Sequence, residues 1–480
     1  DRSQDAYLAC VRARGSARLS AVSDRQAGVA QTDIHAGRKR RVLKHPAQVT
    51  VVAFAATIAI GTLLLYLPIS SVKPGNAPLL TAFFTATSAT CVTGLATVDT
   101  ATYWTTFGQV VIAGLIQVGG FGIMTLASLL ALFVTNRMGL STRLTAAAET
   151  KSIGPGEVRS VLFGVFKITV AVEVTVAIIL SLRFWLGHDK GLGESIYLGV
   201  FHAVSSFNNA GFALFSDNLM SFATDPTIEL TVAFSIIIGG LGFPVIMELL
   251  RRVRPHRWSL HTKLTLLMTG ILLVGGTVFL TFNEWRNPGT IGNFSASDKV
   301  VNGFFHAVQP RTAGFNAWDY SKLNDGSLLG TIALMFIGGG SASTAGGLKV
   351  TTFILLLFAI IAEARGEPEV NAFDRRIEPR TIRQALTVAL LGIAAVMGAS
   401  VVIIELTGLP LKDVLFESTS AFGTVGLSTG ITSKLNQPAQ LVIIGLMFLG
   451  RLGPATLVSA LVLRERHRRY TLPEGRPLIG

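Results

Sequence analysis

Apolar runs of bilayer-spanning length, about 20 residues, recur along this chain once a polar first stretch is passed. They cover residues 47–69, 105–135, 161–186, 228–250, 264–282, 328–361, 382–406 and 441–463. The pattern predicts eight spans, the sixth too long for one pass and interrupted. The connections between them alternate in kind. One kind is basic: Arg38, Lys39, Arg40, Arg41 and Lys44 precede the first span, and Arg137, Arg143, Lys151 and Arg159 follow the second. Arg251, Arg252, Arg254, Arg257 and Lys263 follow the fourth, Arg365, Arg375, Arg376, Arg380 and Arg383 the sixth, and Arg464, Arg466, Arg468 and Arg469 the eighth. Basic loops stay in the cytoplasm, so both termini are expected inside.

The other connections each contain a half-apolar stretch too short to span, the signature of a re-entrant segment. These stretches repeat one another: FTATSATCVTGL from Phe84, FHAVSSFNNAGF from Phe201, FHAVQPRTAGF from Phe305 and FESTSAFGTVGL from Phe416. Each opens on Phe and a polar residue and predicts seven or eight residues of short helix. Each ends in Gly and a large apolar residue. The glycines, Gly94, Gly211, Gly314 and Gly426, are 117, 103 and 112 residues apart. Span, re-entrant loop and span form a unit repeated four times in one topological direction. The expected fold is an all-α membrane protein, with four helix–re-entrant pore loop–helix repeats in a pseudo-fourfold ring of eight spans.

Composition narrows the class. Only 14% of residues are charged, against about 25% in soluble domains, and 50% are hydrophobic. A net charge of +13 alone would fit a nucleic-acid binder, but the long apolar runs exclude one. Two cysteines, Cys10 and Cys91, form no disulfide framework or zinc spacing. No phosphate-binding loop, HExxH motif or acid/base cluster is present, so no enzyme is expected and no cofactor in this chain. Residues 1–46 hold no apolar run of signal-peptide length.

The repeated loops carry the chemistry. Non-helical backbone at membrane depth must line water or be buried in protein. Glycine lets the chain turn its carbonyls toward an axis, and rings of carbonyls can replace the hydration shell of potassium. The quartets Cys91, Val92, Thr93, Gly94; Asn208, Asn209, Ala210, Gly211; Arg311, Thr312, Ala313, Gly314; and Gly423, Thr424, Val425, Gly426 are mostly neutral. Selectivity is thus expected from backbone rather than from carboxylates. The sixth apolar run is broken by Gly338, Gly339, Gly340, Ser341, Ala342, Ser343, Thr344, Ala345, Gly346 and Gly347, predicting an irregular segment in a wet cavity. Arg451 lies in the last span, where a charge needs an aqueous path or a partner. Ser341, Ser343 and loop carbonyls are its expected partners. His202 and His306 share a repeat position with Thr85 and Glu417, which favours helix anchoring over metal binding. Glu173 and Glu405 lie within spans as interhelical residues. Asp99, Asp217 and Asp319 follow three of the loops, as charges at an outer mouth or as loop caps.

TSATCVTGL, SSFNNAGF, RTAGFN and FGTVGLSTG together resemble the Trk/Ktr/HKT superfamily of potassium transporters, most closely the Ktr membrane subunits (KtrB). The resemblance covers about residues 45–465. It implies potassium selectivity, since Gly94 stands where sodium-selective plant members have Ser. It makes residues 338–347 an intramembrane gate, with Arg451 in the pore below the filter. It further implies a homodimer embedded in lipid of the plasma membrane and a KtrA-like ring of nucleotide-binding regulatory subunits, with sodium as activator. The expected organisation is a basic arm (1–44), repeats at 45–150, 151–258, 259–378 and 379–463, and a basic tail (464–480). The rival reading is an ion-coupled secondary transporter of another small cation. That would call for paired ionisable residues near the midplane.

Overall fold

The computed structural model describes residues 46–136, 155–251 and 254–453. The arm, the tail, Arg137, Arg143, Lys151, Arg252 and the cluster from Arg464 lie outside these. The chain divides into two units, Asp1–Gln48 and Val49–Gly480. The helices belong to the second unit, the first of them starting just ahead of it. They are α1 (Pro46–Tyr66), α2 (Leu79–Thr90), α3 (Thr106–Asn136), α4 (Pro155–Gly187), α5 (Leu192–Phe207), α6 (Pro226–Leu241) and α7 (Phe243–Leu250). There follow α8 (Leu260–Glu284), α9 (Ala296–Val308), α10 (Asp325–Phe336), α11 (Val350–Ala364), α12 (Pro379–Thr407), α13 (Leu411–Gly423) and α14 (Gln437–Leu452). A two-residue hairpin, β1 (Asn371–Ala372) with β2 (Arg375–Arg376), pairs antiparallel between α11 and α12.

Among the described residues three helices are long and apolar enough to cross a bilayer: 162–187 within α4, α8 and α12. A fourth span is reached if α6 and α7 count as one bent element. The outward surfaces of these helices are apolar: Phe166, Ile178 and Leu186 on α4, Val274, Val278 and Phe282 on α8, and Leu390 and Val401 on α12 are exposed. Exposed side chains of this kind on long apolar helices face lipid.

Two details depart from the sequence expectation. Residues 228–250 are not one straight span. The chain bends by 100° between α6 and α7 at Gly242, whose φ is +94°. The Phe243 N–H donates to the Ala342 carbonyl at 3.2 Å, so the bend fits around the segment that interrupts the sixth apolar run. The short helices are also longer than seven or eight residues. They span 12 (α2), 16 (α5), 13 (α9) and 13 (α13), beginning well before the repeated Phe.

The four short helices are the inner elements. Their repeated Phe84, Phe201, Phe305 and Phe416 are all buried, as are Leu95, Phe212, Phe315 and Leu427 after the glycines. Each short helix also packs on the helix that ends the preceding unit: α5 on α3, α9 on α6, α13 on α10, and α2 on α14. In the first, second and fourth repeats the short helix packs as well on the helix after it (α2 on α3, α5 on α6, α13 on α14), and small residues make this possible, as at other helix contacts without a hydrophobic driving force. A Cβ on Gly119, Gly239 or Gly450 would run into the Thr90, Phe207 or Phe422 carbonyl at the C-terminal ends of α2, α5 and α13.

Gly239→Val should therefore force α6 off α5 and cost at least about 1–3 kcal/mol. Gly114→Ala, on α3 with nothing within 4 Å of the added Cβ, should be neutral or stabilise by about 0.5–1 kcal/mol. Thermal unfolding of the detergent-solubilised protein would rank the two variants.

Candidate functional site

The loops after α2, α5, α9 and α13 share one backbone conformation. Two residues before each glycine the backbone is left-handed: Val92 (φ 56°), Asn209 (61°), Thr312 (69°) and Thr424 (50°). The glycines are left-handed as well, at 94°, 70°, 76° and 92° for Gly94, Gly211, Gly314 and Gly426. A non-glycine residue held this way costs about 1–3 kcal/mol and persists only where its surroundings enforce it.

The enforcing groups come from each loop's own helix. The N–H before the glycine donates back to a helix carbonyl: Thr93 to Ser88 (2.8 Å), Ala210 to Ser205 (2.7 Å), Ala313 to Gln309 (3.0 Å) and Val425 to Ser420 (2.8 Å). The side chains of the same four residues add a second tie. The Ser88 and Ser420 hydroxyls accept from the Gly94 and Gly426 N–H groups, each at 3.1 Å. Gln309 Oε1 accepts from the Phe315 N–H (3.0 Å), and the Ser205 hydroxyl donates to the Phe212 carbonyl (2.7 Å). The sequence pattern did not single out this column of polar residues. Its signal is there as Ser, Ser, Gln and Ser at one position of the repeat.

The chain leaving three of the loops is tied by the position where His202, His306 and Glu417 align; the buried hydroxyl of Thr85, at the same position of the first repeat, has no protein partner. His202 Nε2 accepts from the Leu214 N–H at 3.3 Å, and His306 Nε2 from the Ala317 N–H at 3.2 Å. Their Nδ1 atoms face the Leu198 carbonyl (2.7 Å) and the Tyr320 hydroxyl (2.8 Å). Glu417 accepts from the Ser428 hydroxyl at 2.7 Å and from Thr432. These are anchors, as expected. No metal-binding group of His, Cys, Asp or Glu occurs among the described residues.

The four glycines meet. A Cβ built on Gly94 would lie 3.2 Å from the Gly211 Cα; one on Gly211, 2.8 Å from the Gly314 Cα; one on Gly314, 3.1 Å from the Gly426 Cα; one on Gly426, 3.1 Å from the Gly94 Cα. The circuit runs in chain order and returns to its start. In each case the nearest atom is a carbonyl oxygen one residue before the next glycine: Ala210, Ala313, Val425 and Thr93. The buried hydroxyls of Thr93, Thr312 and Thr424 have no protein partner.

Two first-position side chains turn away from the loops. Asn208 donates to Gln117 Oε1 (2.8 Å) and to Glu173 Oε1 (3.1 Å). Arg311 donates to the Thr269 hydroxyl at 3.3 Å. Glu173 is thus an interhelical residue, while Glu405 lies exposed near the end of α12.

On one side of the glycines an open vestibule of about 330 Å³ is lined by Asp99, Asp217 and Asn316 together with Gly94, Gly211 and Gly426. Asp99 caps the turn at Thr100 through the Ala101 N–H (2.9 Å) and accepts from the Ser216 hydroxyl (2.6 Å). Partial burial pushes its carboxyl up, but the hydrogen bonds from Ser216, Thr102 and Ala101 outweigh this and hold it below the usual carboxylate range. Asp217 and Asp319 cap Ser221 and Ser321. Asp99 and Asp217 are therefore both caps and lining; Asp319 is a cap outside the vestibule lining.

Residues 337–349 separate α10 from α11 with no helix between them, as the glycine run predicts. The segment is pinned by backbone: Gly338 N–H to the Leu348 carbonyl (2.8 Å), Gly340 N–H to Gly240 (2.8 Å), and Val350 N–H to Gly339 (3.0 Å). It touches two of the glycine-ended loops. The Thr344 hydroxyl and the Asn209 side-chain amide are hydrogen-bonded at 3.2 Å. A Cβ on Gly346 would strike the Thr424 side chain, and Gly347, at φ +60°, lies against Gly423.

Arg451 is buried. Its Nη1 donates to the Thr344 carbonyl and its Nη2 to the Gly119 carbonyl at 2.9 Å. Of the expected partners only the loop carbonyl is met. The Ser341 hydroxyl pairs instead with Thr351 (3.0 Å) and Ser343 with the Gly340 carbonyl (2.6 Å). No carboxylate among the described residues pairs with Arg451.

Residues 25–467 match the family described as TrkH, cation transport protein. The chain belongs to the TrkH family. It is 42% identical over 438 residues to the Ktr system potassium uptake protein B of Bacillus subtilis, covering 91% of this chain and 97% of that one. It is 36% identical to the potassium/sodium uptake protein NtpJ of Enterococcus hirae over 92% and 99%. The crystal structure of the potassium transporter TrkH from Vibrio parahaemolyticus superposes with a TM-score of 0.71 at 18% identity, covering 89% of this chain and 87% of that one. This TrkH-family chain is thus a membrane protein with the TrkH fold.

Ser88→Ala and Ser420→Ala would each strand a half-buried glycine N–H. Each should cost about 1–3 kcal/mol, seen as a lower unfolding midpoint in detergent. Ser→Thr at the same sites should recover part of the loss.

Proposed function

We propose that this protein takes up potassium selectively across the cytoplasmic membrane through a single-chain, pseudo-fourfold pore of eight spans. The observation that carries this reading is the closed circuit of four glycine-ended loops sharing one left-handed conformation. Such loops present carbonyls and unpartnered threonine hydroxyls without any carboxylate, the donor set suited to a dehydrated monovalent cation. The names of the relatives, potassium uptake protein and potassium/sodium uptake protein, point the same way.

In this reading Cys91–Gly94, Asn208–Gly211, Arg311–Gly314 and Gly423–Gly426 form the filter. The carboxylates Asp99 and Asp217 raise the local cation concentration in the vestibule above it. Residues 338–347 lie beneath it as the gate, and Arg451 holds that segment across the path while its charge repels a passing cation. Flow is driven by the membrane potential, worth about 2.3 kcal/mol per charge per 100 mV. The protein works as a homodimer with both termini in the cytoplasm, where a KtrA-like nucleotide-binding ring docks on the basic face and sodium acts as activator.

Proteoliposomes with an imposed potential test the central claim. The protein should pass potassium well ahead of sodium. Gly314→Ser puts a side chain at φ +76° against the Val425 carbonyl, and should abolish the preference for potassium or the flux itself. Unchanged selective flux in that variant would sink the filter assignment.

A further inference from the structure

We propose that Lys349 is a second gating residue, a tethered ammonium that occupies gate-loop carbonyls in place of a passing potassium ion. The proposal rests on the pore reading above. The Lys349 Nζ donates to the Ala345 carbonyl and lies 3.4 Å from the Gly346 carbonyl. Arg451 donates to the carbonyl of the residue before, Thr344. Three successive carbonyls of the gate segment, at 344, 345 and 346, are therefore each held by a cationic side chain.

The electrostatics of the position argue that packing alone did not place Lys349. It is the N-cap residue of α11, where the helix dipole disfavours a positive charge. It lies within electrostatic reach of Arg451, so the two cations repel one another. No carboxylate among the described residues forms an ion pair with either of them. The carbonyl oxygens are what hold the ammonium there. Oxygens that satisfy an ammonium group serve a potassium ion equally well, since both are monovalent cations seeking carbonyl dipoles. Gly346 lies directly against Thr424 of the fourth glycine-ended loop, so these carbonyls sit where an ion leaving that loop arrives. With Lys349 in place the oxygens are taken and a second positive charge stands beside Arg451. With its charge removed they are free to coordinate the ion and the barrier falls.

The test uses the full-length protein alone in potassium-loaded liposomes, comparing wild type, Lys349→Met and Lys349→Arg. Removing the charge should raise basal potassium flux about tenfold, equivalent to about 1.4 kcal/mol off the barrier, with potassium still preferred over sodium. The arginine variant keeps the charge and should remain close to wild type. Where methionine disturbs folding, Lys349→Gln carries the same expectation. Neutral variants with flux at or below wild type, or an arginine variant as leaky as the neutral ones, would overturn the role of Lys349. Potassium flux absent from wild type and neutral variants alike would instead defeat the pore reading itself.

Discussion

Backbone that is not helical cannot be left bare in a membrane, and the described residues include five such stretches, the four glycine-ended loops and residues 337–349. Each freed N–H and C=O must find a partner or water, at a cost of several kcal/mol otherwise. The rest of the structure follows from meeting that demand. The four glycine-ended loops direct N–H groups back into the ends of their own helices, through the carbonyls of Ser88, Ser205, Gln309 and Ser420 and the side chains of Ser88, Gln309 and Ser420. With the donors consumed internally, the carbonyls are the groups left over. In the proposed pore these carbonyls would face the ion, and no charged side chain would be required to attract it.

That solution fixes the packing around it. The loops approach closely only if the surrounding helices reach their bases, and they do so at Gly119, Gly239 and Gly450. Part of the glycine excess is therefore placed at positions that require it. One part permits left-handed backbone, a second lets a helix lie on a helix end, and a third breaks the sixth apolar run. Gly242 serves the last of these indirectly. By bending α6 from α7 it frees the Phe243 N–H to take the Ala342 carbonyl of the broken segment. A kink in one unit thus stabilises irregular chain in another.

Much of this was legible in the sequence. The repeat, the glycines, the interrupted sixth run and a charge in the last span all follow from spacing and composition. What was not legible has physical causes. Val92, Thr312 and Thr424 are β-branched, residue types that local preference keeps out of left-handed backbone, and only the loop ties seen in three dimensions account for their conformation. The bend at Gly242 is hidden because hydropathy runs through it unbroken; the following Phe243-Pro244 gave a local cue, but its partner, Ala342, lies far along the chain. Arg451 was expected near serines of the gate. It takes the carbonyls of Thr344 and Gly119 instead, because those hydroxyls already have partners at Thr351 and Gly340. Sequence proximity ranks candidate partners; it does not reveal which ones are already engaged.

The choice of carbonyls over a carboxylate for Arg451 also bears on the proposed function. A buried ion pair would neutralise the arginine, and breaking it would cost about 3–5 kcal/mol, fixing the segment in place. Hydrogen bonds from a charged donor to carbonyls contribute about 1.5–3 kcal/mol each, within reach of a conformational change driven by a partner or an ion. They also leave the positive charge uncompensated. In the proposed pore the same contact would both hold residues 338–347 and repel a cation, and both effects would end together on a movement of that segment.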